Sequence, residues 1–272
     1  ALELARPLPW LAAFGVAHGL NEWGYIFVPL QAVYLQDVVV RLMLVAHLLL
    51  LATSFFFLLQ FGLELVLPSP TLLRWLRALP AALLLLWGLA LVVRGSTAQD
   101  SLDTLFAVGD GWSRYFLAFP GALLAAAGLW HQARKARAQN LRRIGHYLLG
   151  AAAAFAVYAL VGGLMVPRSP IFPANVLNYN LLESILHLPA AVPRSLCGLG
   201  MAFYVVRSLE IFQVETERRL AAMEQAQILA ADRERIGRDL HDGIIQNIYA
   251  AGLGLEEAHY LVAESPEQGQ QQ

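Results

Sequence analysis

The sequence predicts an all-α protein, in which a polytopic bundle of about six transmembrane helices is followed by one long, charged helix. Of the 272 residues, 58% are hydrophobic and only 14% are charged, and the mean hydropathy is +0.54. A typical soluble domain has about 25% charged residues. The Glu and Arg residues are concentrated in residues 207–239. The chain therefore divides into an apolar part and a solvated part.

Six apolar stretches are long enough to cross a bilayer, which requires about 20 residues each. They fall at residues 8–30, 41–67, 72–93, 113–131, 144–166 and 181–206. Proline-containing segments separate several of them, as at residues 68–70 and 167–170. The sixth stretch itself contains Pro189, Pro193, Gly198 and Gly200. We therefore expect this last span to be kinked or broken.

The distribution of Lys and Arg predicts the orientation of the bundle. Five basic residues lie between the fourth and fifth stretches: Arg134, Lys135, Arg137, Arg142 and Arg143. The segment 95–111 has no Lys or Arg but contains Asp100, Asp103 and Asp110, and we expect it to be an outer loop. Because Lys and Arg favour the cytoplasmic side, six spans place both termini in the cytoplasm.

From residue 207 onward, the pattern becomes amphipathic. Apolar residues recur at spacings near three to four or multiples of these: Leu209, Phe212, Leu220, Met223, Ala230, Ile236, Leu240, Ile244 and Ile248. This periodicity predicts one long helix, continuous with the last span, that buries its apolar stripe against a partner helix in a coiled coil. An inert dimerisation stalk would show the same periodicity.

One motif on this predicted helix is more specific. Residues 233–246 read Arg-Glu-Arg-Ile-Gly-Arg-Asp-Leu-His-Asp-Gly-Ile-Ile-Gln. This segment resembles the HisKA_3-type phosphoacceptor helix of bacterial sensor histidine kinases, the group that includes nitrate and membrane-fluidity sensors. The resemblance implies that His241 is the phosphorylated histidine and Asp242 its adjacent acid. It also implies that Gln246 positions water for phosphatase activity on the partner response regulator.

The chemistry of these residue types agrees with the roles that the resemblance implies. A neutral imidazole is a nucleophile near physiological pH, because its unperturbed pKa is about 6.5. A neighbouring carboxylate such as Asp242 can orient the ring of His241 and accept its second proton during attack on a γ-phosphate. Asp242 and Gln246 are four residues apart and share a helix face.

The resemblance also implies a domain order and a set of partners. We expect a transmembrane sensor domain at residues 1–206 and a cytoplasmic coiled-coil signalling helix at 207–232. The first helix of the dimerisation and histidine-phosphotransfer domain would occupy 233–262, and a disordered tail 263–272. The resemblance implies a homodimer in the inner membrane of a bacterium, with a response regulator rather than a nucleic acid as its partner.

The kinase reaction requires ATP and Mg²⁺, which a separate catalytic domain binds in proteins of this kind. The sequence shows no Asn-bearing helix or glycine-rich lid of such an ATP-binding domain. We therefore expect this polypeptide to be truncated before that domain. Alone, it would be a phosphate acceptor without kinase activity.

Ionisable residues inside predicted membrane spans are costly and indicate candidate sites. His18 and Glu22 are four apart on the first span, and Glu183 and His187 repeat the pair in reverse on the sixth. In the expected topology, these four residues and His47 lie at one depth. Imidazole and carboxylate groups suit a transition metal, and two histidines could hold a haem.

Two other interpretations of the same residues remain open. They could donate hydrogen bonds to the head group of a quinone, with Trp23 and Tyr25 nearby. They could also be polar contacts between helices, each satisfied by a hydroxyl or carbonyl group. Arg194 lies within the sixth span and needs a partner or a water-filled cavity. Glu64 could pair with Arg74 or Arg207.

A transporter or channel with an unrelated cytoplasmic coiled coil is the alternative function class. Intramembrane His and Glu residues would serve it equally well as an ion path. Transporters often contain repeated halves, however, and no convincing repeat relates the first three spans to the last three. The Leu-His-Asp motif also has no explanation in a transporter.

Overall fold

A computed structural model describes residues 6–67, 74–98 and 100–264. The chain separates into two compact units, Ala1–Ile211 and Phe212–Gln272. The regular structure in the described ranges is helical. The all-α fold predicted from the sequence is therefore confirmed.

The bounds of the helices follow the apolar stretches of the sequence. The α-helices are α1 (Leu8–Gln31), α2 (Asp37–Val66), α3 (Leu79–Thr97), α4 (Leu102–Ser113), α5 (Phe119–Ala138), α6 (Arg142–Tyr158), α7 (Tyr179–Leu186) and α8 (Ala191–Glu264). A 3₁₀ turn at Arg74–Ala78 precedes α3. Two π-helical segments, Arg114–Ala118 and Ala159–Leu164, connect α4 to α5 and extend α6.

Five helical segments of the described chain are long and apolar enough to span a membrane. They are Asp37–Val66, Trp75–Thr97, Leu102–Ala138, Arg142–Leu164 and Ala191–Tyr260. The predicted first span also forms a helix, α1, but His18, Asn21 and Glu22 in its middle reduce its apolar character. The polytopic helical architecture is thus confirmed, with α1 as a further helix at a predicted span.

The expected outer loop at 95–111 is wrong over most of its length. Helix α4 begins at Leu102, where the Ser101 hydroxyl accepts a hydrogen bond of 3.3 Å from the backbone N–H of Thr104. Ser is a favoured N-cap, and Asp103 in the first turn complements the helix dipole. Asp103 and Asp110, two of the acidic residues that suggested a loop, therefore lie in helix α4.

The predicted break in the sixth span is confirmed. Helix α7 ends at Leu186, and the next residue, His187, adopts the left-handed conformation with φ of 54°. Its N–H donates to the Glu183 carbonyl at 2.8 Å, which closes the last turn. Helix α8 begins four residues later, at Ala191.

Helix α2 packs against α1 and α5 in the interior of the first unit. The buried residues of α2 lie in its segment from Leu51 to Leu65. The α2–α5 contact depends on two glycines, because a Cβ on Gly121 would lie 2.8 Å from the backbone nitrogen of Leu59 and one on Gly62 would lie 2.6 Å from the Gly121 carbonyl oxygen. Small residues at such positions let membrane helices approach closely.

The second unit consists of the C-terminal part of α8. The apolar side chains of the predicted stripe are exposed in the single chain, including Met223 (56%), Leu240 (62%) and Ile248 (67%). Local ion pairs, such as Arg235–Asp232 at 3.3 Å, lie on the helix surface. Of the predicted disordered tail at 263–272, residues 265–272 lie outside the described residues.

The close α2–α5 contact predicts the effect of one added methyl group. Gly121→Ala should destabilise the detergent-solubilised protein by about 1–3 kcal/mol, because the new Cβ meets backbone that cannot move independently. Gly88→Ala in α3 is the matched control, since its Cβ would meet nothing within 4 Å. Thermal unfolding of both variants checks this; equal melting temperatures would contradict the packing described.

Candidate functional site

A cluster of polar side chains lies inside the Ala1–Ile211 unit, and we call it the membrane polar cluster. Its members come from six helices and from the first π-helical segment. They are His18, Glu22, Tyr25, Ser54, Asp110, Arg114, Tyr158, Tyr179 and Arg194. Burying such groups is costly unless each is paired or hydrogen-bonded, so their partners determine what the cluster can do.

His18 connects α1 to α2 and α6. Its Nδ1 lies 3.1 Å from the Ser54 hydroxyl, and its Nε2 lies 2.9 Å from the Tyr158 hydroxyl. The Ser54 hydroxyl donates its own proton to the Leu51 carbonyl at 2.7 Å, so it must accept from His18. Nδ1 therefore donates to Ser54, and in a neutral ring Nε2 accepts from Tyr158. In this arrangement both ring nitrogens are engaged.

Glu22 and Arg194 form an ion pair between α1 and the first turn of α8. The Glu22 Oε2 atom lies 3.3 Å from an Arg194 guanidinium nitrogen, and Oε1 lies 3.6 Å from His18 Nε2. Arg194 also donates to the Tyr179 hydroxyl at 2.6 Å and lies over the rings of Tyr25 and Tyr179. The sequence predicted that Arg194 needs a partner, and these contacts supply it.

Arg114 is the most deeply buried charge, with 0% of its side chain exposed. Its Nε donates to the Asp110 carboxylate one turn earlier. Its two terminal nitrogens donate to the Gly162 carbonyl at 2.7 Å and to the Tyr25 hydroxyl at 3.2 Å. Tyr25 in turn donates to Asp110 at 3.0 Å, which closes a triangle of three side chains. Gly162 lies in a π-helical segment, in which the backbone hydrogen bonds depart from the i→i−4 pattern of an α-helix.

Sequence reasoning misses Asp110 and Arg114 as site residues, because the pattern of residues 95–111 predicts an outer loop that includes Asp110. The signal was present in their spacing. An acid and a base four residues apart share a helix face and can neutralise each other inside an apolar span. Asp110 is 7% exposed, so the structure places it inside the bundle rather than at the surface.

The five residues predicted to form a metal or haem site are not gathered in one place. His18 and Glu22 are in contact, as described above. His47 donates to the backbone carbonyl of Asn21 at 2.8 Å, and Glu183 accepts from the Ala190 N–H at 3.1 Å. His187 is exposed at the end of α7. Within the described ranges, no group of three or more His, Cys, Asp or Glu residues is arranged to hold a metal ion.

Glu64 has partners other than the two that the sequence suggested. Its carboxylate lies 3.2 Å from Arg77 and 3.4 Å from Arg6. Arg207 pairs instead with Glu210, three residues along the same helix, at 2.7 Å. The side chain of Arg74 lies outside the described part of the structure. Sequence distance does not reveal such pairs, because they depend on which helix ends meet.

A cavity of about 580 Å³ adjoins the membrane polar cluster. It lies along α1 and the first five turns of α8, and its walls are mostly apolar. His18, Glu22, Tyr158, Arg194 and Ser195 line its polar part. Trp23, which the quinone interpretation placed nearby, lines a second cavity of about 540 Å³ with Glu22 and Arg194.

The second unit carries the predicted phosphoacceptor residues on α8. His241 and Gln246 are exposed. Asp242 is part of the same helix, but its side chain lies outside the described residues. Positions 242 and 246 are separated by about one helical turn, as the sequence predicted. The roles of the three residues stay a prediction at this point.

Because Arg114 and Asp110 form a buried pair, we expect a single substitution to reduce stability more than substitution of both residues. Arg114→Gln should cost about 3–5 kcal/mol of stability, because it leaves an uncompensated buried carboxylate. The double variant Asp110→Asn/Arg114→Gln should recover much of that loss. Arg207→Gln, at an exposed pair, is the control and should leave the melting temperature unchanged. A double variant that is less stable than Arg114→Gln would contradict this account.

Comparison with protein families links the C-terminal part of the chain to a known family. Residues 232–272 match HisKA_3, a histidine kinase family model. The match begins one residue before the predicted start of the phosphotransfer segment and includes His241, Asp242 and Gln246. Comparison with curated proteins and with solved structures returned no match. In residues 232–272 the chain is therefore similar to histidine kinases, consistent with the phosphoacceptor region of a sensor histidine kinase.

Proposed function

We propose that this chain is the sensory and dimerisation portion of a two-component sensor histidine kinase, and that His241 is its phosphorylated residue. The observation that carries the proposal is the histidine kinase match at residues 232–272. The matched residues contain the Leu-His-Asp motif. They come after helices that are long and apolar enough to span a membrane. A transporter with an unrelated coiled coil would not explain this match.

The reaction that we propose is transfer of the γ-phosphoryl group of ATP to His241. A nitrogen–phosphorus bond forms at the imidazole, the bond to the bridging oxygen breaks, and ADP leaves. Asp242 would accept the second ring proton and orient the imidazole. The exposed position of His241 on α8 is compatible with access by a separate catalytic domain. ATP and Mg²⁺ would be bound by that domain, which we do not expect within these 272 residues.

Gln246 would act in the reverse direction, on the phosphorylated response regulator. Positions 242 and 246 are four residues apart, about one turn, and so share a helix face. An amide at this position could hold a water molecule next to the phospho-aspartate of a docked regulator. We therefore propose that the phosphoacceptor helix takes part in both phosphorylation and dephosphorylation.

Dimerisation would bury the exposed apolar stripe of α8. Met223, Leu240, Ile244 and Ile248 are each more than half exposed in the single chain. Apolar positions at this spacing pair with a second helix in coiled coils. We propose a parallel homodimer, in which the two copies of residues 207–262 pack along this stripe.

We propose the inner membrane of a bacterium as the location, with both termini in the cytoplasm. The supporting feature is the basic cluster at the α5–α6 connection, since Lys135 and Arg137 end α5 and Arg142 and Arg143 begin α6. Lys and Arg accumulate on the cytoplasmic side of membrane proteins. We further propose that the stimulus acts inside the membrane, through the membrane polar cluster; a metal or haem there stays a prediction.

Phosphorylation of His241 can be tested directly. In inside-out membranes containing the chain fused to its ATP-binding domain, γ-labelled ATP should phosphorylate the wild type, and His241→Gln should reduce the label to background. His259→Gln is the matched control, because His259 is another exposed histidine on α8. Retained labelling of His241→Gln would refute the assignment. The 272-residue chain alone should show no ATP hydrolysis.

The proposed dimer predicts a pattern of cysteine crosslinks. In a Cys197→Ala background, Met223→Cys should form an intermolecular disulfide readily, because Met223 lies on the apolar stripe. Gln225→Cys is the control, because position 225 is two residues after Met223 and lies about 200° around the helix, on the opposite face. Non-reducing gel electrophoresis of oxidised membranes measures both. Equal crosslinking at the two positions would argue against the stripe as the interface.

A further inference from the structure

The cavity of about 580 Å³ along α1 and α8 is polar at one end and apolar at the other. One end lies at Leu8 on α1 and Leu209 on α8, and the other at Glu22 and Arg194. At about 1.5 Å per residue, the fourteen residues from Leu8 to Glu22 cover about 21 Å. The volume then corresponds to a mean cross-section of about 28 Å², which suits a single extended hydrocarbon chain.

Away from the polar end, the walls are mostly apolar. The side chains that face the cavity between its ends include Leu11, Phe14, Met201 and Val205. Such a surface gains free energy when it contacts another apolar group rather than water. A long apolar chain is therefore the occupant that matches the greater part of the cavity.

The polar end offers a hydrogen-bond donor without a partner. Arg194 is 8% exposed, and its Nε atom has no hydrogen-bond partner among the described residues. Its terminal nitrogens are already used by Glu22 and Tyr179. A buried N–H without an acceptor costs free energy, so an acceptor atom supplied by a ligand would be stabilised here.

The charge of the polar end selects a neutral head group. Arg194 is balanced by Glu22, and the neighbouring Arg114 is balanced by Asp110. An anionic head would add a charge that nothing at this end of the cavity neutralises, which is costly inside a membrane. A carbonyl oxygen accepts a hydrogen bond from Arg194 without this cost.

We propose that this cavity binds a neutral, lipid-soluble molecule that has a carbonyl-bearing head and one long apolar chain. The head lies at Arg194 and Glu22, and the chain extends between α1 and α8 toward Leu8 and Leu209. Binding itself does not depend on the kinase assignment. Only the further step, that this molecule is the stimulus, rests on the proposed function.

The probe for the test is radiolabelled decylubiquinone, a benzoquinone with a decyl chain. Its saturable binding is measured to the 272-residue chain in nanodiscs of phosphatidylcholine, and binding to empty nanodiscs is subtracted. We expect one saturable site. Unlabelled palmitate, which has an anionic head, and hexadecane, which has none, should each displace the probe about tenfold less well than unlabelled decylubiquinone.

Two variants and a control locate the site. Gly198→Phe should weaken binding about tenfold or more, because Gly198 lines the cavity and a Cβ there meets nothing within 4 Å, so the ring can occupy the space. Arg194→Gln should also weaken it about tenfold through loss of a charge-assisted hydrogen bond. Gly88→Phe, at an open position on α3 outside the cavity, should bind like the wild type.

Three results would overturn the proposal: no saturable binding, displacement by palmitate as effective as by decylubiquinone, or unchanged affinity of Gly198→Phe. Thermal unfolding of each variant shows whether it is folded. If Arg194→Gln does not fold, Gly198→Phe decides the outcome alone. Because the assay measures binding only, failure of His241 phosphorylation would leave its result unaffected.

Discussion

The pairing of Arg114 with Asp110 is the constraint on which the interior of the membrane unit depends. Arg114 has no exposed side-chain surface, and a guanidinium cannot lose its charge to avoid the cost of burial. It must therefore be surrounded by acceptors. Those acceptors come from α4, α1 and the π-helical extension of α6, so one side chain fixes the relative positions of three helices.

The second buried pair, Glu22 with Arg194, follows the same rule at the start of α8. Together the two pairs leave the membrane polar cluster without net formal charge, and the neutral tautomer of His18 is consistent with this balance. Such a balance lets polar groups persist in an apolar environment. In the binding that we propose for the adjoining cavity, the same balance favours a neutral ligand, because such a ligand leaves the pairing undisturbed.

Much of the fold could be predicted from the sequence, because helix length and apolar composition are local properties. The break before α8 followed from Pro189 and its neighbours, and the phosphoacceptor motif is a short contiguous pattern. Partners across helices could not be predicted in this way. The absence of Lys and Arg from residues 95–111 predicts an outer loop that includes Asp110, and only the packing shows that Arg114 neutralises this residue. Glu64 pairs with Arg6 and Arg77, and these partners likewise depend on which helix ends meet.

The membrane unit has a neutral polar interior, and it is followed along the chain by the proposed phosphoacceptor helix, on which we expect His241 to receive phosphate. Mass spectrometry at neutral pH, on protein isolated from stimulated cells, tests this most directly by locating the phosphorylated residue. We expect a phosphohistidine at His241 in the peptide that spans residues 239–246. Phosphate at His259, or on another residue while His241 stays unmodified, would contradict the account.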